Sequence, residues 1–208
     1  MAETRKVGIV IFDEVEVLDF CGPFEVFSVT GGREGLRPFE VFTVAEESKP
    51  ITARGGLSVN PSYSFESCPR PDILLVPGGF GTRRELKNAK MLEWLKEQSS
   101  NTELILSVCS GSLLLGRAGL LHGLTATTHH AALDELRNVS SSISIDSSRR
   151  FIDNGHVIVS AGISAGIDMS LYVVARLLGN EQAMETARYM EYEWQGVLVQ
   201  PTTRAKIS

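Results

Sequence analysis

Two hydrophobic periods alternate along this chain. Short, nearly unbroken apolar runs occur at Lys6 to Phe12, Phe39 to Ala45, Asp72 to Val76 and Leu104 to Val108. Runs of that length and β-branched content predict strands buried on both faces. Between them the apolar positions spread to helical spacing. Gly22-Pro23 is expected to open a helix through Phe24, Val26, Phe27 and Val29, stopped at Gly31-Gly32. A charged amphipathic stretch carries Leu86, Leu92 and Leu95, with Asn88 as cap of its second part. Leu113 to Leu121 reads as helix, Thr125 to His129 as a short strand and Ala131 to Leu136 as a short helix. Ser164 is placed to cap a helix over Ala165 to Leu178, whose Ile167, Leu171, Val174 and Leu178 share one face. Gly179 ends it, and Asn180 is expected to cap a last helix to about Glu193. Hairpins are expected around Gly55-Gly56 within Ile51 to Phe65, and at Asp153-Asn154-Gly155 within Phe151 to Ala161. The tail from Gln195 to Ser208 has no clear period.

Strands alternating with helices predict an α/β fold, a three-layer sandwich around a mostly parallel sheet. In such sheets ligands bind beyond the carboxyl ends of the strands. The segment Asp13 to Asp19, the turn Pro77-Gly78-Gly79, and Cys109 all fall at such ends and are expected to converge. No repeat, low-complexity segment or linker interrupts the chain, so its 208 residues are read as one domain. A net charge of −5 argues against a nucleic-acid binder. No run approaches the roughly 18 apolar residues of a membrane span. The three cysteines, Cys21, Cys68 and Cys109, are too few and irregular for a disulfide framework, which fits a reducing cytosol. There is no metal-ligand spacing and no motif for a cofactor.

The chemistry concentrates at Cys109. In ILSVCSGS the apolar strand stops at this cysteine, small residues follow, and an apolar helix begins. That is the layout of a nucleophile elbow, which lifts a side chain above the sheet beside a helix N-terminus. The partial positive charge there is expected to favour thiolate. Alone, the cysteine could be a small buried hydrophobe; its context points to a reactive thiol. Asp19, in EVLDFCGP, could be a local turn group or a carboxyl held against the thiol. Gly78 and Gly79 could form a plain turn or bring backbone N–H groups to an oxyanion. His129 and His130 end the run TATTHH, and as neighbours on a strand at most one should face the site. Cys21 and Cys68 are read as packing residues, and Glu25 and Asp168 as helix-surface or capping groups.

With these residues in order, the chain resembles the ThiJ/PfpI superfamily of the class I glutamine amidotransferase-like, flavodoxin-like fold. The resemblance rests on VLDFCGP, LLVPGGFG, SVCSGS, LTATTH and SAGISAGID, and extends from about Lys6 to about Glu193. Within the superfamily these segments are most similar to the isonitrile hydratase branch, and they also occur in sensor domains of AraC-type regulators. The resemblance implies Cys109 as nucleophile, Asp19 as its carboxyl partner, and N–H groups near Gly78, Gly79 and Ser110 as the anion-stabilising set. It places His129 where several branches carry a histidine near the cysteine, and it implies a homodimer. Three departures shape the expectation. Ser110 stands where protease relatives carry a catalytic histidine. The acid is aspartate where the chaperone and deglycase branch has glutamate. His130 and Cys21 stand where the hydratases carry tryptophan and threonine. The expectation is a cytoplasmic, cofactor-free cysteine hydratase or lyase of a small organic molecule, with an isonitrile as best substrate. The rivals are action on α-oxoaldehydes and a ligand- or oxidation-sensing domain without turnover. The sequence as given shows no DNA-binding region of the kind the regulators carry.

Overall fold

The computed structural model describes residues 4–32 and 35–196. Its centre is a seven-stranded sheet. The strands are β1 (Arg5–Val10), β2 (Phe39–Ala45), β5 (Tyr63–Ser64), β6 (Ile73–Val76), β7 (Leu104–Ser107), β10 (Phe151–Asp153) and β11 (Val157–Ser160). They lie in the order β10-β11-β7-β6-β1-β2-β5. Every pairing is parallel except β10 with β11, the hairpin expected at Asp153-Asn154-Gly155. The near-continuous apolar runs are explained by burial on both faces: all residues of β6, β7 and β11 are buried. Helices α1 (Val17–Val29), α2 (Thr82–Glu85), α3 (Ala89–Ser99), α4 (Gly111–Arg117), α5 (Leu133–Val139), α6 (Ala165–Leu178) and α7 (Asn180–Tyr189) flank it. The α/β sandwich expected from the alternation is the fold observed.

Register brings the sites together. Val76 of β6 pairs with Ser107 of β7, and Ser107 with Val159 of β11. The three strands therefore end at one level, and Gly78, Cys109 and the segment after Ser160 turn off the sheet side by side. β1 ends beside β6, and the chain order reverses between them, which is where an open parallel sheet forms its crevice.

Several local expectations give way to tertiary contacts. Helix α1 begins at Val17, well before Pro23, which lies inside the helix with no N–H to offer the Asp19 carbonyl. Its start is fixed from outside: Val15 bridges to Gly79, and the Glu16 N–H donates to the Gly78 carbonyl at 3.0 Å. The Gly55-Gly56 hairpin forms from β3 (Ile51–Thr52) and β4 (Ser58–Val59), while Tyr63–Ser64 joins the edge of the main sheet. The strand expected over Thr125 to His129 shortens to β8 (Thr125–Ala126), paired with β9 (Ser144–Ile145) in a separate two-stranded sheet. Asn88 caps α3 by accepting from the Met91 N–H at 3.2 Å. Ser164 precedes α6 without a side-chain capping bond; its Oγ instead accepts from Arg150 at 3.3 Å. Gly179 with φ of 98° is the residue before α7, so Asn180 is the first helical residue and not the cap. Most of the aperiodic tail, residues 197–208, lies outside the described residues.

Candidate functional site

The strand-to-helix turn places Cys109 at φ +57°, a left-handed conformation uncommon for a residue with a Cβ. Three bonds hold it there. The Cys109 N–H donates to the Ala161 carbonyl at 3.2 Å, and its own carbonyl accepts from Thr128 Oγ1 at 2.8 Å and Ser112 Oγ at 3.2 Å. Helix α4 starts tight against β6, since a Cβ at Gly111 would stand 2.0 Å from the Val76 carbonyl oxygen. A strained residue over-determined by its surroundings, at a strand end, is how an elbow aims a side chain.

Asp19 reaches the sulfur from α1. Asp19, Pro23, Val26 and Phe27 recur at helical spacing and are buried, so the carboxyl lies on the face turned into the protein. It is fully buried. Oδ2 accepts from the Gly78 N–H at 3.1 Å, and Oδ1 has no ordinary hydrogen-bond partner. The group facing the carboxyl is the Cys109 thiol. Gly78 is required by this closeness: a Cβ there would stand 2.5 Å from Ser110 N and 3.0 Å from Asp19 Oδ2.

Burial raises the Asp19 carboxyl to about 7, opposed by the bonds from Cys109 and Gly78 and aided by the charge of Glu16. Burial first, then the Asp19 charge, pushes the Cys109 thiol up to about 12, against the Ser110 and Ile163 N–H groups directed at the sulfur. The expectation that the helix N-terminus favours thiolate is therefore corrected. Burial and the neighbouring carboxylate outweigh it, and between these two values the pair holds a single proton. A thiol in this setting becomes nucleophilic by passing its proton to Asp19.

The other expected residues divide. The Gly78 and Gly79 N–H groups are taken inside the protein, by Asp19 Oδ2 and by Ser110 Oγ at 3.0 Å. They brace the site and leave no free donor for an oxyanion. Ser110 contributes its N–H toward the sulfur, while its Oγ contacts Thr82 Oγ1 at 3.1 Å. His129 is half-buried and His130 exposed, and their rings lie 4.2 Å apart. Both line one cavity of about 280 Å³ with Thr128, Leu133, Gly162 and Ile163. Both line this cavity because residues 127–129 are not strand and His129 caps the 3₁₀ turn His130–Ala132. A second cleft of about 880 Å³ is lined by Phe12, Glu46, Lys49, Arg84 and Met91, and neither cleft counts Cys109 or Asp19 among its lining residues. Asp168 is more than a surface group: it pairs with Arg150 and accepts from Tyr192 OH at 3.0 Å.

Thr128 and Ile163 were not among the sequence candidates. Thr128 left only the weak signal of a hydroxyl beside the histidines. Ile163 has φ of 48°, a genuine outlier for a β-branched residue, and its local mark is the Gly162 before it. Among the described residues no group of three His, Cys, Asp or Glu side chains is arranged to hold a metal. No described helix is long and apolar enough to cross a membrane.

A parallel α/β sheet carrying an elbow cysteine and a buried carboxyl defines the class of this protein. It belongs to the DJ-1/PfpI family, whose match covers residues 5–176. An isonitrile hydratase from Pseudomonas putida is 34% identical over 187 residues, 90% of this chain and 78% of that protein. The transcriptional regulator CdhR of Pseudomonas aeruginosa is 30% identical over 172 residues, 77% of this chain and 51% of the regulator, so the chain spans about half of that relative's length. Among solved structures, a ThiJ/PfpI family protein from Pseudomonas syringae superposes with a TM-score of 0.82 at 30% identity, covering 98% of this chain and 79% of the other.

Proposed function

We propose that this protein is a cysteine-dependent hydratase that converts a small isonitrile to an N-substituted formamide. The observation that carries the reading is the buried Asp19 carboxyl set against the Cys109 thiol, with Oδ1 bonded to nothing else. Similarity to a named isonitrile hydratase supports the choice of substrate.

The reaction needs a nucleophile for a terminal carbon and a proton for that same carbon, and one group can relay it. Asp19 takes the thiol proton as sulfur attacks the isonitrile carbon. The carboxylic acid then delivers the proton to that carbon, leaving a thioimidate, Cys109–S–CH=N–R. Asp19, again a carboxylate, activates a water molecule that adds to the thioimidate carbon. Asp19 passes the proton taken from water to the nitrogen, then takes the hydroxyl proton as the C=O forms and the C–S bond breaks, and returns it to the departing sulfur as the formamide leaves. The sum is R–NC plus water to R–NH–CHO, with the enzyme unchanged. The Ser110 and Ile163 N–H groups stabilise sulfur as it departs.

Incubation with an alkyl isonitrile is expected to yield the matching formamide, and Cys109→Ala is expected to abolish turnover. Turnover that survives Cys109→Ala would sink the mechanism, and none in the wild type would sink the function. Similarity to CdhR favours a second reading, a ligand-sensing domain. Saturable binding of the isonitrile without formamide would select it.

A further inference from the structure

The half-buried His129 has its chemistry set by the backbone around it. His129 stands at the start of the 3₁₀ turn His130–Ala132, and its Nδ1 accepts from the Ala131 N–H at 3.2 Å. An imidazole nitrogen that accepts a backbone hydrogen bond carries no proton, so the neutral ring carries its proton on Nε2. The ring is fixed on its other edge as well. A Cβ at Gly162 would stand 2.2 Å from His129 Cδ2 and 3.0 Å from Cγ, so only glycine lets the ring lie there. Gly162 adjoins Ile163, whose N–H is directed at the Cys109 sulfur, and His129 and Ile163 line the same 280 Å³ cavity. Among the described residues, none is bonded to His129 Nε2.

We propose that His129 is a hydrogen-bond donor to the substrate through Nε2–H and not a general base. In its neutral form Nε2 has no lone pair with which to take a proton, whereas an N–H in the cavity that Ile163 also lines can meet an acceptor atom on a molecule bound to Cys109. If the isonitrile reading holds, on which the identity of that acceptor rests, the acceptor is the thioimidate nitrogen. Negative charge develops on that nitrogen as water adds to the carbon, and a preplaced donor there lowers the barrier without itself transferring the proton. The surroundings keep the ring neutral. Burial first, then the facing His130 and Arg83, hold the imidazole below its usual value, and Glu16 pulls weakly the other way. Arg83 is itself held by paired contacts to Glu135 of α5.

Two measurements test the assignment. Nitrogen-15 NMR of the intact protein at pH 7.5 reads the tautomer of His129 directly, with no substrate required. The expected spectrum has an unprotonated Nδ1 and a protonated Nε2, and the reverse pattern would overturn the proposal. In turnover, His129→Leu removes the donor, and His129→Gln returns an amide N–H at similar reach. The expected result is a loss in kcat of about 10²–10³-fold for His129→Leu, the usual cost of one such donor. His129→Gln should recover at least about tenfold of it, with KM little changed in either. Wild-type kcat in His129→Leu, or equal loss in both variants, would contradict a donor role. A wild type inactive toward isonitriles would remove the reading of the reaction and leave the NMR result to decide the state of His129.

Discussion

At the residue scale, Asp19 carries a stability cost that the proposed chemistry requires. Its carboxyl has the ordinary value of 3.8 when exposed and about 7 in the fold, raised by burial. The folded state therefore keeps a proton that the unfolded chain releases between about pH 4 and 7. Stability attributable to this group is intact below about 4, falls as the pH rises to about 7, and is level above that. An asparagine there has no proton to lose and can still accept from Gly78. The Asp19→Asn variant is thus expected to gain on the wild type by on the order of 3 kcal/mol between pH 4 and 8, measured by urea unfolding at several pH values. A difference independent of pH would place the carboxyl in water. Sequence alone could suggest that Asp19 met the thiol, because the two lie at strand ends that a parallel sheet brings together. It could not give the direction of the thiol's shift, because burial and the facing carboxylate are properties of the packed site. Nor could it show that Gly78 and Gly79 donate inward, since that depends on where Asp19 and Ser110 point.

At the element scale, the elbow depends on α4 lying against the end of β6. A Cβ at Gly111 would collide with the Val76 carbonyl at 2.0 Å, and backbone on both sides leaves no flexible group to yield. Gly111→Ala is expected to cost about 1–3 kcal/mol, the scale of overpacking a core, and to slow alkylation of Cys109 as the turn shifts. Urea unfolding and iodoacetamide kinetics check the two effects, and an unchanged rate would mean that α4 does not aim the sulfur. Elements defined by long periodic runs were legible: β1, β2, β6, β7 and α6 fall close to their expected bounds. Elements of two residues were legible only in part: the β3–β4 hairpin and a strand at Thr125 were expected, but β9, and the place of β5 in the main sheet, exist because partner strands accept them, a property absent from their own sequences. The early start of α1 has the same cause, since the Val15–Gly79 bridge overrides the signal of Pro23. The shortened β8 lets both histidines line one cavity.

At the scale of the whole molecule, aligned strand ends gather residues distant in sequence onto one crevice. Asp19 leaves β1, Gly78 leaves β6, Cys109 leaves β7, and Ile163 follows β11. The fold and the family were readable from the order of these segments, because a parallel sheet converts order into proximity. In the proposed reaction Cys109 becomes covalently bonded to the isonitrile carbon during turnover. Intact-protein mass spectrometry in the first turnover, followed by peptide mapping, tests it most directly. A transient gain equal to the mass of the isonitrile is expected, confined to the peptide containing Cys109 and absent from Cys109→Ala. Formamide produced with no such species, or an adduct on any other residue, would contradict it.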